Sequence, residues 1–170
     1  VGGDTLNAET ERTVNEYLKR NGCLYEVVKG YGMTELCATS VISFRGANAI
    51  GSVGVPLVSN TIKIVDMDTG KELGYDQIGE IWISAPSTML GYYENQKETN
   101  EVLVTDENGT RWVKTGDLGR MNSDGLLFHE GRIRRIYLTT FEGQPAKIFP
   151  GLIESAVKEL PDTFDCTAVA

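Results

Sequence analysis

Between residues 50 and 130 the chain is cut into short apolar runs by turn residues, and no other feature limits the fold as much. "NTIKIVD", "IGEIWISA", "RWVKTGD", "LGRM" and "LLFH" are rich in branched and aromatic residues and are separated by glycine, asparagine or aspartate. Runs of this length and spacing predict a small antiparallel sheet, closed or strongly bent. The last two runs are expected to join across Asn122 to Gly125, and nineteen glycines in the chain imply many turns. "ENQKETNEVL" reads as a short exposed helix, because its polar residues outnumber its apolar ones. "DMDTGKE" opens like a calcium loop but has no glycine at the sixth position and no distal glutamate, so a hairpin turn is expected instead.

Helical patterns flank this region. In "NAETERTVNEYLKRNGC", Asn7 can cap a helix, Glu9 and Glu11 suit its positive end, Lys19 and Arg20 its negative end, and Gly22 stops it. Val14, Tyr17 and Leu18 form the expected inward stripe. "LYEVVKG" reads as a strand that delivers a glycine-rich loop at its carboxyl end, where ligands commonly sit in sheets covered by helices. A second boundary falls near "EGRIRRIYL". Beyond it, "FPGLIESAVKEL" puts proline at a helix start and spaces Leu152, Ile153, Ala156, Val157 and Leu160 along one face, before a strand-like "CTAVA".

Composition excludes several classes of function. A formal net charge of -8 argues against nonspecific nucleic-acid binding, which needs a basic surface to displace counterions. Cys23, Cys37 and Cys166 are odd in number and widely separated, so they support neither a disulfide framework nor a zinc site. No apolar run approaches the ~20 residues of a membrane span, and no leader pattern opens the chain. A cytoplasmic protein is expected. The start at Val1 and the end in "DCTAVA" read as a piece excised from a longer chain.

The candidate chemistry lies in "KGYGMTELCATS", residues 29 to 40. Taken alone, Tyr31 could pack in a core, Thr34 could cap a helix and Glu35 could be a solvated first-turn charge. The functional alternative is a ring over a purine, a hydroxyl on a phosphate oxygen and a carboxylate holding Mg2+, a hard cation that prefers oxygen ligands. Asp117, in "TGD", suits two adjacent ribose hydroxyls, and Arg132 supplies a forked donor fifteen residues later. His129, the only histidine, is more simply structural as a lone strand residue. Trp82, Tyr92 and Tyr93 could form a carbohydrate-binding surface, but core packing is the default for scattered aromatics.

These segments, in this order, resemble the adenylate-forming enzymes: acyl-CoA synthetases, luciferases and the adenylation domains of peptide synthetases. "VGGDTL" resembles that family's GGAPL stretch, "GYGMTE" its YGxTE loop, and "GSVGVPL" the segment that follows. "GEIWISAPSTMLGYYENQKET", "VKTGDLGRMNSDGLLFHEGRIRR" and "KIFPGLIE" are similar to its glycine-tyrosine stretch, its TGD and hinge region, and the entry to its mobile domain.

The resemblance implies a mixed α/β and β fold. Residues 1–50 would end a large α/β domain, 51–131 would form a small distorted antiparallel β-barrel, and 132–170 would be the hinge and an incomplete mobile α/β domain. It implies that a carboxylic acid attacks ATP to give an acyl-adenylate and pyrophosphate, after which a thiol, from coenzyme A or a carrier protein, displaces AMP. Tyr31 would stack on adenine, with Gly2 and Gly3 on the ring's other face and Gly30 near its amine. Thr34 would touch the α-phosphate, Glu35 would bind Mg2+, Asp117 and Arg132 would hold the ribose, and Arg134 would be the hinge residue. Thr34 and Glu35 are thereby the expected catalytic pair.

The family's phosphate loop would precede Val1 and its catalytic lysine would follow Ala170, so the isolated chain is expected to be inactive. Asp4 and Thr5 depart from the family's small residue and proline, and "TTFEGQPA" departs from its glycine-rich pattern. An acyl-CoA synthetase is the leading expectation. An amino-acid or aryl-acid adenylation domain is the alternative within the family, and a noncatalytic β-rich binding module the alternative outside it.

Overall fold

A computed structural model describes residues 1–3, 6–141, 143–158, 160 and 166–168. Asp4 and Thr5 therefore lie outside the described residues. Helix α1, Ala8–Arg20, is capped as its sequence predicts: the Asn7 side chain accepts from the Thr10 amide at 2.7 Å. Its buried face is a different one from that predicted. Val14 and Tyr17 are exposed, whereas Glu11 is fully buried. The Glu11 carboxylate accepts from Lys29 Nζ and from the Gly51 amide, the latter at 2.9 Å, so an ion pair replaces an apolar stripe as the attachment of α1.

No strand forms over 24–29. The Val27 amide donates to Asn15 Oδ1 and the Lys29 amide to Ser43 Oγ, both at 2.8 Å, and neither enters a ladder. Leu24 and Tyr25 are exposed. The strand that does form is the glycine motif itself, β1, Gly30–Met33. A 3-10 turn, Thr34–Leu36, returns it antiparallel onto β2, Ala38–Ile42.

The remaining strands are β3 (Ser52–Pro56), β4 (Thr61–Val65), β5 (Gly79–Ser84), β6 (Leu103–Thr105), β7 (Arg111–Met121) and β8 (Leu127–Arg132). They continue from β2 in the spatial order β1-β2-β3-β8-β7-β5-β4, with β6 beside β7, and every pairing is antiparallel. "RWVKTGD" and "LGRM" are thus one strand, β7, which turns at Asn122–Gly125 into β8. Register shifts at Ser52/Gly54, Glu80/Trp82 and Leu118/Gly119 bend the sheet, as bulges do. Strict alternation buries Gly79, Ile81 and Ile83 of β5, and the two isoleucines join Leu36, Val41, Ile64, Val113 and Leu127 in the core.

The expected short helix is α2, Gln96–Val102, capped by Asn95. The "DMDTGKE" segment is a turn, with Asp66 Oδ1 accepting from the amides of Asp68 and Thr69 at 3.1 and 2.7 Å.

Gly54 sits where β2, β3 and β8 meet, with φ +105°. A Cβ there would lie 2.1 Å from the Ile42 carbonyl oxygen, so backbone would have to move. Gly54→Ala is expected to destabilise the chain by about 2–3 kcal/mol in urea unfolding, combining steric overlap with an unfavourable φ. An unchanged midpoint would show that the sheet yields there without cost.

The last segment forms a separate two-stranded sheet, β9 (Tyr137–Phe141) with β10 (Gln144–Ile148), followed by α3, Pro150–Lys158. Proline opens that helix as predicted. Ile153 and Leu160 of its expected inward face are exposed, because α3 meets the main sheet through buried Pro150 and through Gly151, which packs on the Glu130 carbonyl. Cys166–Ala168 are not in a strand, and Val169 and Ala170 of "CTAVA" lie outside the described residues.

Candidate functional site

Strand pairing brings the predicted residues together from three distant segments. Asp117 on β7 stands opposite Arg132 on β8, which sets Arg132 Nε 3.2 Å from Asp117 Oδ1. From β1, the Tyr31 hydroxyl donates to Asp117 Oδ2 at 2.7 Å, across 86 residues of sequence. The 3-10 turn directly after β1 carries Thr34 and Glu35. The backbone under Asp117 is pinned: its amide donates to Thr115 Oγ1 at 3.1 Å, and Thr115 Oγ1 donates to the Ile81 carbonyl at 2.8 Å.

Gly3, Gly30, Tyr31, Thr34, Glu35, Asp117 and Arg132 all line one cavity of about 590 Å³. Gly2 lines an adjoining cleft of about 660 Å³ toward β2, which shares Gly30 and Thr34 but has no acidic side chain. The smaller cavity is therefore the one where charge converges. Arg134 lines neither; it lies in the 3-10 turn Ile133–Arg135. Its neighbour Arg135 does line the smaller cavity and is paired with Glu154 of α3.

Asp117 is the electrostatic centre. It is only 4% exposed, and its Oδ1 is buried without a hydrogen-bond partner. Arg132 stands at ion-pair distance from that oxygen and His129 Nε2 at 3.7 Å, yet neither is aligned to donate to it. Burial alone would raise the Asp117 carboxyl; His129, the Tyr31 hydroxyl and the Arg132 charge outweigh burial and hold it below the usual aspartate range. Burial first, and then the Asp117 charge, push the Tyr31 phenol far up, so it stays a donor. Asp117 thus lines the cavity with one oxygen whose accepting capacity no aligned donor takes up, beside the largely exposed Arg132 guanidinium, a pairing suited to a ligand hydroxyl.

Three residues acquire positions that their local sequence did not suggest. His129, expected to be structural, lines the cavity, and its ring lies 5.8 Å from that of Tyr31. Strand alternation from buried Leu127 held the signal, since it puts His129 and Gly131 on one face. Lys29 also lines the cavity, its charge taken up by Glu11. Tyr92, expected to pack in the core, donates its hydroxyl to Glu35 Oε1, and that bond, followed by burial and the nearby charges, pushes its phenol up to about 12.

Among the described residues no group of three or more His, Cys, Asp and Glu side chains could hold a metal alone. Glu35, half-buried at the cavity wall with one oxygen bonded to Tyr92, fits a single-carboxylate site of the kind Mg2+ uses when phosphates supply other ligands. No helix among the described residues is long and apolar enough to cross a membrane.

The AMP-binding enzyme family profile matches residues 1–93, more than half of the chain. Probable 4-coumarate–CoA ligase 1 of Dictyostelium discoideum is 38% identical over 148 residues, which is 86% of this chain and 26% of that protein. Long chain acyl-CoA synthetase 8 of Arabidopsis thaliana is 38% identical over 131 residues, covering 75% of this chain and 17% of that one. The ATP-bound form of MatB from Rhodopseudomonas palustris superposes with a TM-score of 0.79 at 27% identity, over 96% of this chain and 30% of that structure. The chain spans 17% to 29% of the length of the curated relatives it matches most strongly.

Proposed function

The chain belongs to the AMP-binding enzyme family, and from that premise we propose that the protein carrying it is an ATP-dependent ligase of carboxylic acids and coenzyme A. The reading is supported by relatives that are coenzyme A ligases of acyl and aryl acids. The observation that carries it is the convergence of Tyr31, Thr34, Glu35, Asp117 and Arg132 on one cavity wall. Residues 1–50, 51–131 and 132–170 would then be the end of the large domain, the small β domain and the start of the mobile domain.

In the first step a substrate carboxylate oxygen bonds to the α-phosphorus of ATP, and the bond to the β-phosphate bridging oxygen breaks, releasing pyrophosphate. In the second, the coenzyme A thiol gives up its proton and attacks the acyl carbon, forming the thioester and expelling AMP. The protein supplies no nucleophile of its own, so its task is positioning and charge compensation.

Tyr31 offers its ring to adenine, with Gly2 and Gly3 opposite and Gly30 near the amine. The unpartnered Asp117 Oδ1 accepts from a ribose hydroxyl while Arg132 donates to the sugar oxygens. Thr34 donates to the α-phosphate. Glu35 would hold Mg2+, which when bound neutralises charge on the phosphates. Arg134, in the 3-10 turn that follows β8 and outside the cavity, would be the hinge residue.

The expected result with this chain is that AMP binds about tenfold or more tightly than 2′,3′-dideoxy-AMP by titration calorimetry, since two hydroxyl contacts to charged groups are lost. Asp117→Ala should remove most of that difference, and Asp117→Ala combined with Arg132→Ala should abolish it. Equal affinities in the unaltered chain would remove the ribose assignment. In the whole protein, exchange of pyrophosphate into ATP should require a carboxylic acid, and a panel of alkyl and aryl acids identifies which class is used.

A further inference from the structure

We propose that Tyr92 is a positioning residue, whose hydroxyl aims the Glu35 carboxylate at the divalent cation carried by the triphosphate; this rests on the metal reading of Glu35 given above. The segment before α2 is stapled to the turn after β1 by three bonds. The Met89 amide donates to the Glu35 carbonyl at 2.8 Å, Ser87 Oγ donates to the Leu36 carbonyl at 2.7 Å, and the Tyr92 hydroxyl donates to Glu35 Oε1. The first joins backbone to backbone and the second a side chain to backbone, and both hold the turn by its carbonyls. Only the third of these acts on the carboxylate itself.

Tyr92 is in turn held from behind. Its amide donates to Thr99 Oγ1 at 2.9 Å, and buried Thr99 bonds back to the Asn95 carbonyl at 2.8 Å at the start of α2. Gly91 permits the approach, since a Cβ there would lie 2.9 Å from Thr99 Cγ2. A glutamate on a short turn otherwise turns freely about its side-chain bonds. With Oε1 bonded to a phenol on an anchored loop, the carboxylate that lines the cavity loses much of that freedom. Preorganisation of this sort is what a cation with strict geometry needs, because it requires near-octahedral oxygen placement.

Titration calorimetry of the chain with ATP in excess Mg2+, and with ATP in EDTA, tests this by the ratio of the two affinities. Tyr92→Phe is expected to lower that ratio about tenfold, the effect of one hydrogen bond to a charged group. Glu35→Gln should bring it to unity. A merely structural role for Tyr92 would weaken both affinities alike and leave the ratio in place. If Tyr92→Phe keeps the full ratio while Glu35→Gln loses it, the positioning role is overturned and the metal reading stands. If Glu35→Gln also keeps the ratio, the metal reading itself falls, and the role of Tyr92 with it. Tyr92→Met, which removes the hydroxyl and keeps apolar bulk, replaces the phenylalanine variant should that one fail to fold.

Discussion

Glu35→Ala in the whole protein is expected to lower carboxylate-dependent pyrophosphate exchange by about a hundredfold or more, in the range of a lost electrostatic contact at a reacting centre. As the carboxylate adds to the α-phosphorus, negative charge gathers on the phosphate oxygens, and the Mg2+ that Glu35 would hold would supply the offsetting charge. Glu35 is the only acidic side chain on the turn that lines the cavity beside Thr34, and Asp117 already holds Tyr31 through one oxygen and is assigned to the ribose through the other.

The side chain is half-buried and outside the buried core, so its loss should leave folding largely intact. Thermal melting of the variant checks that separately. Raising Mg2+ should recover only part of the rate, because added metal restores occupancy without restoring aim. Undiminished exchange in a folded Glu35→Ala protein would remove Glu35 from the reaction and defeat the catalytic reading of the loop.

The convergence of the candidate site was legible in the sequence because its parts are short, chemically distinctive and separated by a pattern of strands that the turns make readable. Asp117 and Arg132 could be paired in advance only through resemblance, yet the register that joins them follows from one hairpin at Asn122–Gly125. What stayed hidden was non-local. "LYEVV" has strand composition, but a strand needs a partner alongside, and the amides of Val27 and Lys29 find side chains instead. Tyr92 had a sufficient explanation as a core aromatic, and nothing within its own segment points to a carboxylate 57 residues away. His129 lost its signal for a similar reason: a histidine on an alternating strand looks structural until the neighbouring strand is known to carry Asp117.

Glu11 was hidden for the same non-local reason. A glutamate in the first turn of a helix is accounted for by the helix dipole alone, so its burial was invisible locally. In the fold it is fully buried, and Lys29, only 4% exposed, gives it one bond while donating another to the Ala49 carbonyl at 2.8 Å. The same carboxylate accepts from the Gly51 amide at 2.9 Å.

Removing Glu11 therefore leaves an ammonium out of water with only a carbonyl partner, together with a stranded amide. Glu11→Ala is expected to destabilise the chain by about 3–5 kcal/mol, the cost of breaking a buried pair from one side. The double variant Glu11→Leu with Lys29→Met should recover most of that loss, since two apolar groups of similar volume need no compensating charge. Urea unfolding of the four proteins in the cycle measures the coupling directly. Additive effects of the two changes would mean that the charges do not depend on each other. Lys29 also lines the cavity and immediately precedes β1, so the Glu11→Ala protein should bind AMP more weakly as the lead-in to Tyr31 loosens. An apolar pair that restores stability should restore that affinity too, because what the site draws from this contact is a fixed backbone rather than a charge.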